Sequence, residues 1–403
     1  MNYLLAAWLC MPSFLMVLFS LPSLAIGLLF TALTAMFSTL LLNLKRQVQF
    51  SRTYLSILAL AVISIVVSHF AAQQPFTQKQ GLAIVGLVIL AFAVPTVLHY
   101  YFSRQASSVS RELKWTYLIF VVIGVIGVVS PIRVGPFLGL NQPIFPFSEP
   151  SHFTLAYAQI ASLALVFMRQ KGRLLVVSTS FFLALGLPNV TMLAVAVLFL
   201  LIVVSVRALL FLVLASVTVT GYILSSYPES LVYFTDRLVS GETENLSRLV
   251  YIQGWESLIS ANSATNGVGI GFQNLGNEPP GVATEIIRVL TNEIDLNRFD
   301  GGFLFSKMGG EFGFAGIIVG LFLLILAIWS GIRVRRELKL KLNVNDAIAV
   351  IPLCSTYIFV VEMMIRGVGY FSPTLMLTIY FIPHALRRLR NKLPEKNIKQ
   401  NGC

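Results

Sequence analysis

Charged residues are scarce in this chain of 403 residues, of which 11% are charged and 56% are hydrophobic. A soluble domain has about 25% charged and about 45–50% apolar residues, so the composition excludes a water-soluble globular protein. Long apolar runs recur along the chain instead. Because a bilayer core is about 30 Å thick and a spanning helix needs about 20 mostly apolar residues, we expect an integral membrane protein that crosses the bilayer many times.

Cysteine is also rare, and its three residues, Cys10, Cys354 and Cys403, lie far apart. This spacing suits neither a disulfide framework nor a zinc cluster. The apolar run that starts close to Met1 lacks a basic segment before it and a small-residue cleavage site after it, so we expect a retained first helix and not a removable signal peptide.

Breaks between the apolar runs predict an all-α polytopic fold with about twelve spanning helices. Pro188-Asn189, between the seventh and eighth runs, could instead mark a kink or a re-entrant turn, which leaves about ten to thirteen spans open. The predicted spans are 3–21, 24–43, 54–71, 82–100, 115–130, 153–168, 174–188, 190–206, 208–226, 312–331, 346–364 and 369–386.

The net charge of +12 follows these spans, which argues against a nucleic-acid partner. If both termini are cytoplasmic, 21 of the 29 Lys and Arg residues fall on the cytoplasmic side, as the positive-inside rule requires. The opposite side has two long segments, 131–152 and 227–311, and the second contains 11 of the 17 acidic residues. The predicted domains are a bundle over 1–226, the polar loop 227–311, a second group of spans over 312–386 and a basic tail over 387–403.

Two helices are predicted within the polar loop. Asn245 or Ser247 can cap the first, which runs through Leu249 to Leu258 with apolar residues on one face, and the second is predicted to begin at Thr284. The glycine-rich segment 266–271 between them suits a tight turn better than a phosphate loop, because no Lys-Ser/Thr pair follows it and no strand precedes it.

The earlier segment, 131–152, is too rich in proline and glycine to form a regular helix. Irregular backbone at a membrane surface must pack against protein or line a wet cavity, and this segment contains Arg133, Glu149 and His152. Arg366, one turn after Glu362, lies near a predicted helix end and could face the bundle interior, reach the headgroups or pair with Glu362. Structural and functional roles remain open for all of these residues.

Three stretches resemble the O-antigen polymerases of bacterial lipopolysaccharide assembly (the Wzy type), within the superfamily that includes the O-antigen ligases. The most specific is Phe147-Ser-Glu-Pro-Ser-His-Phe153, preceded by Arg133 and Gly135-Pro-Phe. The second runs from Arg248 through Trp255 to Gly271, and the third from Asp300-Gly-Gly to Gly316. Ligases commonly have a histidine where this chain has Asp300-Gly301, which favours a polymerase.

The resemblance implies a helical bundle of the lipid-sugar glycosyltransferase (GT-C) type in the bacterial inner membrane, with no cofactor and no metal. The expected substrate is an oligosaccharide repeat unit on undecaprenyl pyrophosphate, polymerised at the periplasmic face. A terminal hydroxyl of one unit attacks the anomeric carbon of the growing chain, and the lipid pyrophosphate leaves. Membrane lipid and a chain-length regulator are the expected partners.

Guanidinium groups bind phosphate oxygens bidentately and stay charged, so arginines outside the membrane are candidates to bind the pyrophosphate. The first choices are Arg133, Arg248 and Arg366, followed by Arg288 and Arg298. An acceptor hydroxyl needs a proton acceptor within reach. Glu149 and His152 are the candidate catalytic residues, with Asp300 behind them.

Three other functions compete with the polymerase. A ligase would use the same loop and donor but transfer the finished glycan to a lipid A core. A flippase or other transporter also suits about twelve spans, although it needs short loops and charges along a central cavity. A scaffold without activity would leave the external arginines unexplained.

Overall fold

A computed structural model of the chain describes residues 4–42, 52–72, 76–130, 132–140, 143–187, 189–205, 207–209, 246–292, 295–340 and 342–390. Helices joined by turns account for these residues, and none of them forms a strand. The all-helical prediction is therefore confirmed for this part of the chain. The predicted span 208–226 and the first part of the polar loop, 227–245, lie almost wholly outside the described residues.

The α-helices of the described residues are α1 Leu4–Leu18, α2 Leu24–Leu42, α3 Arg52–Ala72, α4 Gln78–Phe102, α5 Ala106–Val129, α6 Pro150–Leu165, α7 Gln170–Gly186, α8 Val190–Val203, α9 Leu246–Ala264, α10 Val282–Leu290, α11 Leu304–Glu337, α12 Val344–Ile358, α13 Val360–Met364 and α14 Pro373–Arg390. Short 3-10 helices cover Gly135–Gly139 and Arg298–Asp300. These helices pack mainly against neighbours in the chain, as in α1 with α2, α7 with α8 and α11 with α12.

Five of the described helical segments are long and apolar enough to cross a membrane: Leu24–Leu41, Gln78–Phe102, Ala106–Val129, Leu304–Glu337 and Val344–Met364. Shorter apolar helices cover Leu4–Leu18, Tyr54–Phe70 and Val190–Val203. Large apolar side chains on these elements point away from the protein, as Phe37, Phe70 and Trp329 do. This pattern suits a lipid-facing surface. The number of about twelve spans stays a prediction.

Helix α6 lies at the centre of the bundle, and every residue from Phe153 to Leu165 is buried. Its alanines let neighbouring helices approach closely. Polar side chains in this interior bond to one another: Gln159 Nε2 donates to Thr378 Oγ1 at 3.0 Å, and the Ser355 and Thr378 hydroxyls lie 3.3 Å apart. These bonds join α6, α12 and α14. They satisfy polar side chains that no water reaches within a bilayer.

Basic residues gather where several helices end. Arg173 Nη1 of α7 donates to the Leu338 carbonyl after α11, and Arg335 Nη2 of α11 donates to the Val204 carbonyl after α8 at 2.7 Å. These arginines stabilise carbonyls that a helix end leaves without an intrahelical donor. We call this side of the bundle, with Arg104 after α4 and Arg388 of α14, the basic end.

The polar loop contains both predicted helices. Helix α9 follows the predicted pattern and packs against α11. Helix α10 begins at Val282, two residues before the predicted Thr284, because a side chain from α9 caps it: the Glu256 carboxylate accepts from the Ala283 N–H at 3.0 and 3.2 Å. A carboxylate there also offsets the positive end of the helix dipole.

Helix α11 begins at Leu304, inside the segment predicted as loop. Lys307 and Glu311 made this stretch look polar, yet they form an ion pair with side chains 1% and 0% exposed. The helix breaks at Gly313 (φ 60°, ψ −142°), where a Cβ would lie 2.0 Å from the Gly267 carbonyl oxygen. Only glycine fits such a position.

The glycine-rich segment 266–271 docks at this break. Ile270 N and Gly271 N donate to the carbonyls of Gly310 and Glu311 at 3.0 and 2.9 Å, and Phe314 N donates to the Gly267 carbonyl at 2.8 Å. The segment therefore bonds the backbone groups that the break frees. Its N–H groups at Ile270 and Gly271 are occupied, which fits the predicted turn and not a phosphate loop.

Helices α7 and α8 are separate, as the predicted spans 174–188 and 190–206 require, and Asn189 Oδ1 caps α8 by accepting from Thr191 N at 2.9 Å. Helix α14 runs to Arg390, beyond the predicted 386, since its last residues contact α11 through Arg388 and Glu337.

Candidate functional site

The segment before α6 is irregular and packed against protein. Ile144 and Phe147 are buried and exchange backbone hydrogen bonds, and the peptide bond between Phe145 and Pro146 is cis. Ser148 N donates to Ser13 Oγ of α1 at 3.1 Å. This packing places Glu149 at the N-cap of α6 and His152 in its first turn.

One carboxylate oxygen of Glu149 contacts two nitrogen-bearing side chains. This oxygen, Oε1, lies 3.1 Å from His152 Nε2 and 3.3 Å from Arg366 Nη2. Arg366 stands in the segment between α13 and α14, so the contact joins residues 217 apart in the chain. The alternative pairing of Arg366 with Glu362 does not occur: Glu362 Oε2 accepts from Thr374 Oγ1 at 2.6 Å.

The protonation of this group follows from its contacts. Burial would raise the pKa of Glu149, but His152 and Arg366 outweigh it and lower the pKa from 4.5 to about 2. Burial lowers the pKa of His152, and the Glu149 carboxylate opposes that effect. An ionised carboxylate only accepts, so the Nε2 that faces it bears a proton, and Nδ1 lies 3.0 Å from Ser148 Oγ. His152 therefore orients Glu149.

Arg366 is held from the other side by Asn297. With the amide oxygen turned toward the guanidinium, Asn297 Oδ1 accepts from Nη1 at 3.2 Å and from Nη2 at 3.1 Å. Arg366 Nε is buried and has no hydrogen-bond partner among the described residues. Gly367 N donates to the Gly302 carbonyl at 2.9 Å. The segment around 297–302 thus lies along the segment around 366–370.

Asp300 belongs to the segment 297–302. A Cβ on Gly369 would come within 2.9 Å of Asp300 Oδ1, so the carboxylate is close to the Arg366 segment. Asp300 also interacts electrostatically with His152 and with Lys79 of α4. Lys79 Nζ lies 5.0 Å from the centre of the Phe299 ring, which is within cation–π range.

The Lys307–Glu311 ion pair lies beside Asp300. Lys307 Nζ is 3.1 Å from Glu311 Oε1, donates to the Phe299 carbonyl and lies 5.5 Å from the Tyr370 ring centre. Lys79 interacts electrostatically with both members of the pair. Lys307 thus holds the backbone immediately before Asp300.

Two predicted arginines bond within the polar loop. Arg288 forms a bidentate pair with Asp295, from Nε at 2.7 Å and Nη2 at 3.3 Å, and also contacts Glu285 at 3.2 Å. Arg298 is buried, lies 3.5 Å from Asp295 and donates to the Glu278 carbonyl. Both hold the loop together in this structure.

Arg133 and Arg248 are exposed on the surface, before the 3-10 helix Gly135–Gly139 and in the first turn of α9. The structure therefore brings together Glu149, His152, Arg366 and Asp300, and it adds residues that the sequence did not single out: Asn297, Lys79, Lys307 and Glu311. The spacing of four between Lys307 and Glu311 in an apolar stretch was the available signal for the last two.

No family model matches this chain, and no curated protein matches it. Among the described residues, no group of three or more His, Cys, Asp or Glu side chains is arranged to hold a metal ion. In the site Glu149 pairs with Arg366, Asp300 interacts with Lys79, and the buried Lys307–Glu311 pair lies behind them. The exchangeable Glu149–Arg366 pair suits the binding of an anion that takes the place of the carboxylate on the guanidinium.

Proposed function

We propose that this protein polymerises oligosaccharide repeat units linked to undecaprenyl pyrophosphate into an O-antigen polysaccharide, at the periplasmic face of the bacterial inner membrane. The convergence of Glu149 and Arg366 supports this most strongly. It pairs a carboxylate that can accept a proton with a guanidinium that can bind a phosphate. The two stand 3.3 Å apart although they come from distant segments.

Arg366 is the proposed ligand of the leaving pyrophosphate. Its buried Nε has no partner among the described residues, and Nη2 is shared between Glu149 and Asn297. A phosphate oxygen can take the place of the Glu149 carboxylate on this fork, because guanidinium and phosphate match in geometry and charge. Arg133 and Arg248 remain proposed contacts for the rest of the donor.

Glu149 is the proposed general base, and donor binding activates it. Arg366 lowers the pKa of Glu149, so moving Arg366 onto the phosphate makes the carboxylate a better proton acceptor. The acceptor hydroxyl then gives its proton to Glu149 while its oxygen bonds to the anomeric carbon. The bond from that carbon to the pyrophosphate oxygen breaks, and the lipid pyrophosphate leaves with the bonding electrons.

His152 and Asp300 have supporting roles in this proposal. His152 keeps Glu149 oriented through its Nε2 proton. Asp300 is exposed, lies close to the segment that contains Arg366 and interacts with Lys79, so it is positioned to accept hydrogen bonds from sugar hydroxyls. Carboxylates commonly accept such bonds because they offer two acceptor oxygens.

The proposed topology places both termini in the cytoplasm, within a GT-C-type bundle of about twelve spans. The basic end supports this orientation, because cytoplasmic loops of membrane proteins are enriched in Lys and Arg. The candidate site lies at the opposite end of the shared helices: on α14, Thr374 stands near Glu362, whereas Arg388 stands at the basic end.

Glycan ladders from cells with and without the gene test the proposal. We expect loss of the gene to leave one repeat unit on the lipid A core and no ladder. Plasmid-borne wild type and Arg336→Gln, an exposed change at the basic end, should restore the ladder, and Arg366→Gln should not. Loss of every repeat from the core would instead favour the ligase or flippase functions.

A further inference from the structure

A cavity of about 430 Å³ opens at the basic end, between α4, α12 and α14. Its polar lining comes from His99, Ser103, His384, Arg387 and Arg388. The same wall contains Phe102, Tyr380 and Phe381, with the Phe102 and Phe381 rings 5.0 Å apart. A cavity of this size holds a small polar group together with part of an apolar chain.

The cavity is separate from the candidate site. At the start of α4, Gln80 Nε2 donates to the Phe272 carbonyl of the polar loop at 2.7 Å, whereas Phe102 ends the same helix at the cavity. At 1.5 Å per residue these positions are about 33 Å apart. On α14, His384 lies about 15 Å along the axis from Thr374. A ligand of this cavity therefore does not contact Glu149 or Arg366.

Positive charge exceeds negative charge around the cavity. Arg388 Nη2 contacts Glu337 Oε1 at 3.2 Å, but the same oxygen also binds Arg333 Nε at 3.1 Å. One carboxylate thus serves two arginines. Arg388 Nε is buried without a hydrogen-bond partner among the described residues. His384 interacts electrostatically with both His99 and Arg387.

We propose that this cavity binds the phosphate headgroup of an anionic phospholipid from the adjacent leaflet. Arginine forks bind phosphate oxygens bidentately, and the aromatic and aliphatic wall suits the start of the acyl chains, as aromatic residues do at membrane interfaces. The positive charge of residues 391–403 argues against this segment as the occupant of the cavity. They contain Lys392, Lys396 and Lys399 against one acidic residue, Glu395, and so share the sign of the arginines.

Lipid titration of the purified full-length protein in neutral detergent tests the proposal. Phosphatidylglycerol, phosphatidylcholine with the same acyl chains, and inorganic phosphate are added separately while tryptophan fluorescence follows thermal unfolding. Binding to the folded protein raises Tm with ligand concentration. The variants are Arg387→Gln, which removes a charge from the cavity, Ala349→Phe, which fills it, and Arg336→Gln, an exposed charge removal at the same end that does not line it.

We expect phosphatidylglycerol to raise Tm of the wild type and of Arg336→Gln with the same half-maximal concentration. Arg387→Gln should need about 10-fold more lipid, because it loses a charge-assisted hydrogen bond to the phosphate, and Ala349→Phe should respond weakly. An equal response of all four proteins would overturn the proposal, as would an equal response to phosphatidylcholine. Saturation by inorganic phosphate at the same concentration would show that the site recognises free phosphate and not a lipid.

Discussion

Replacing Glu149 with glutamine removes the charge that Arg366 and His152 share, while the side chain keeps its size. In the proposed mechanism this removes the general base, whose contribution is typically about 10²–10⁴-fold in rate. The expected loss of polymerisation rate is therefore about 100-fold or more. The amide also presents N–H groups to two donors, so Arg366 loses its carboxylate partner.

The same change should leave folding almost intact. Glu149 is 37% exposed at its side chain, and ion pairs with such exposure contribute about 0–1 kcal/mol to the free energy of unfolding. Glu149→Gln should accumulate in membranes at nearly the wild-type level. The assay is the rate of chain extension on a lipid-linked repeat unit, normalised to the amount of inserted protein.

Glu285→Gln is the matched control, because Glu285 is 56% exposed and also pairs with an arginine, Arg288, at 3.2 Å. It should extend chains within about 2-fold of the wild type, since a surface pair contributes little. If Glu149→Gln polymerises at the wild-type rate with equal insertion, Glu149 has no part in the chemistry and the mechanism is wrong.

Further predictions follow from the same contacts. Arg366→Lys keeps the charge but loses the fork, so extension should fall about 10-fold or more; a wild-type rate would show that bidentate binding is unnecessary. The pKa of Glu149, about 2, lies below its ordinary value of 4.5. The contacts of Glu149 therefore stabilise the folded protein above about pH 4.5, and this stabilisation is lost as the pH falls toward 2. The difference in Tm between wild type and Glu149→Gln should shrink between pH 6 and 3, and a constant difference would contradict the lowered pKa. Lys307→Met leaves Glu311 buried and unpaired, which should cost about 3–5 kcal/mol, and adding Glu311→Leu should restore part of the loss in Tm; no recovery would mean that the charge pair is not the cause.

Helices were predictable because their signals are local. Apolar runs define the helices of the bundle, and the spacing from Leu249 to Leu258 indicates α9 without knowledge of its partners. Boundaries were less predictable where tertiary contacts decide them. Helix α11 begins early because Lys307 and Glu311 neutralise each other in the interior, and α10 begins early because Glu256 caps it from another helix.

The candidate site was predictable only in part. Glu149 and His152 lie in one short motif, and Arg366 is conspicuous as a charged residue near a helix end. Asn297 and Lys79 have no such local signal, because they reach the site only when the polar loop folds onto α4 and onto the segment before α14. For Arg288 and Arg298, residue type alone could not show that Asp295 would bind both.

Reconstitution tests the central claim most directly. Purified protein in vesicles is supplied with synthetic repeat units on undecaprenyl pyrophosphate, and both glycan length and released lipid pyrophosphate are measured. We predict a ladder in which each added repeat releases one lipid pyrophosphate, and no ladder from Glu149→Gln or Arg366→Gln. Movement of the intact lipid-linked unit across the vesicle without any new glycosidic bond, or transfer only to an added lipid A core, would contradict the account.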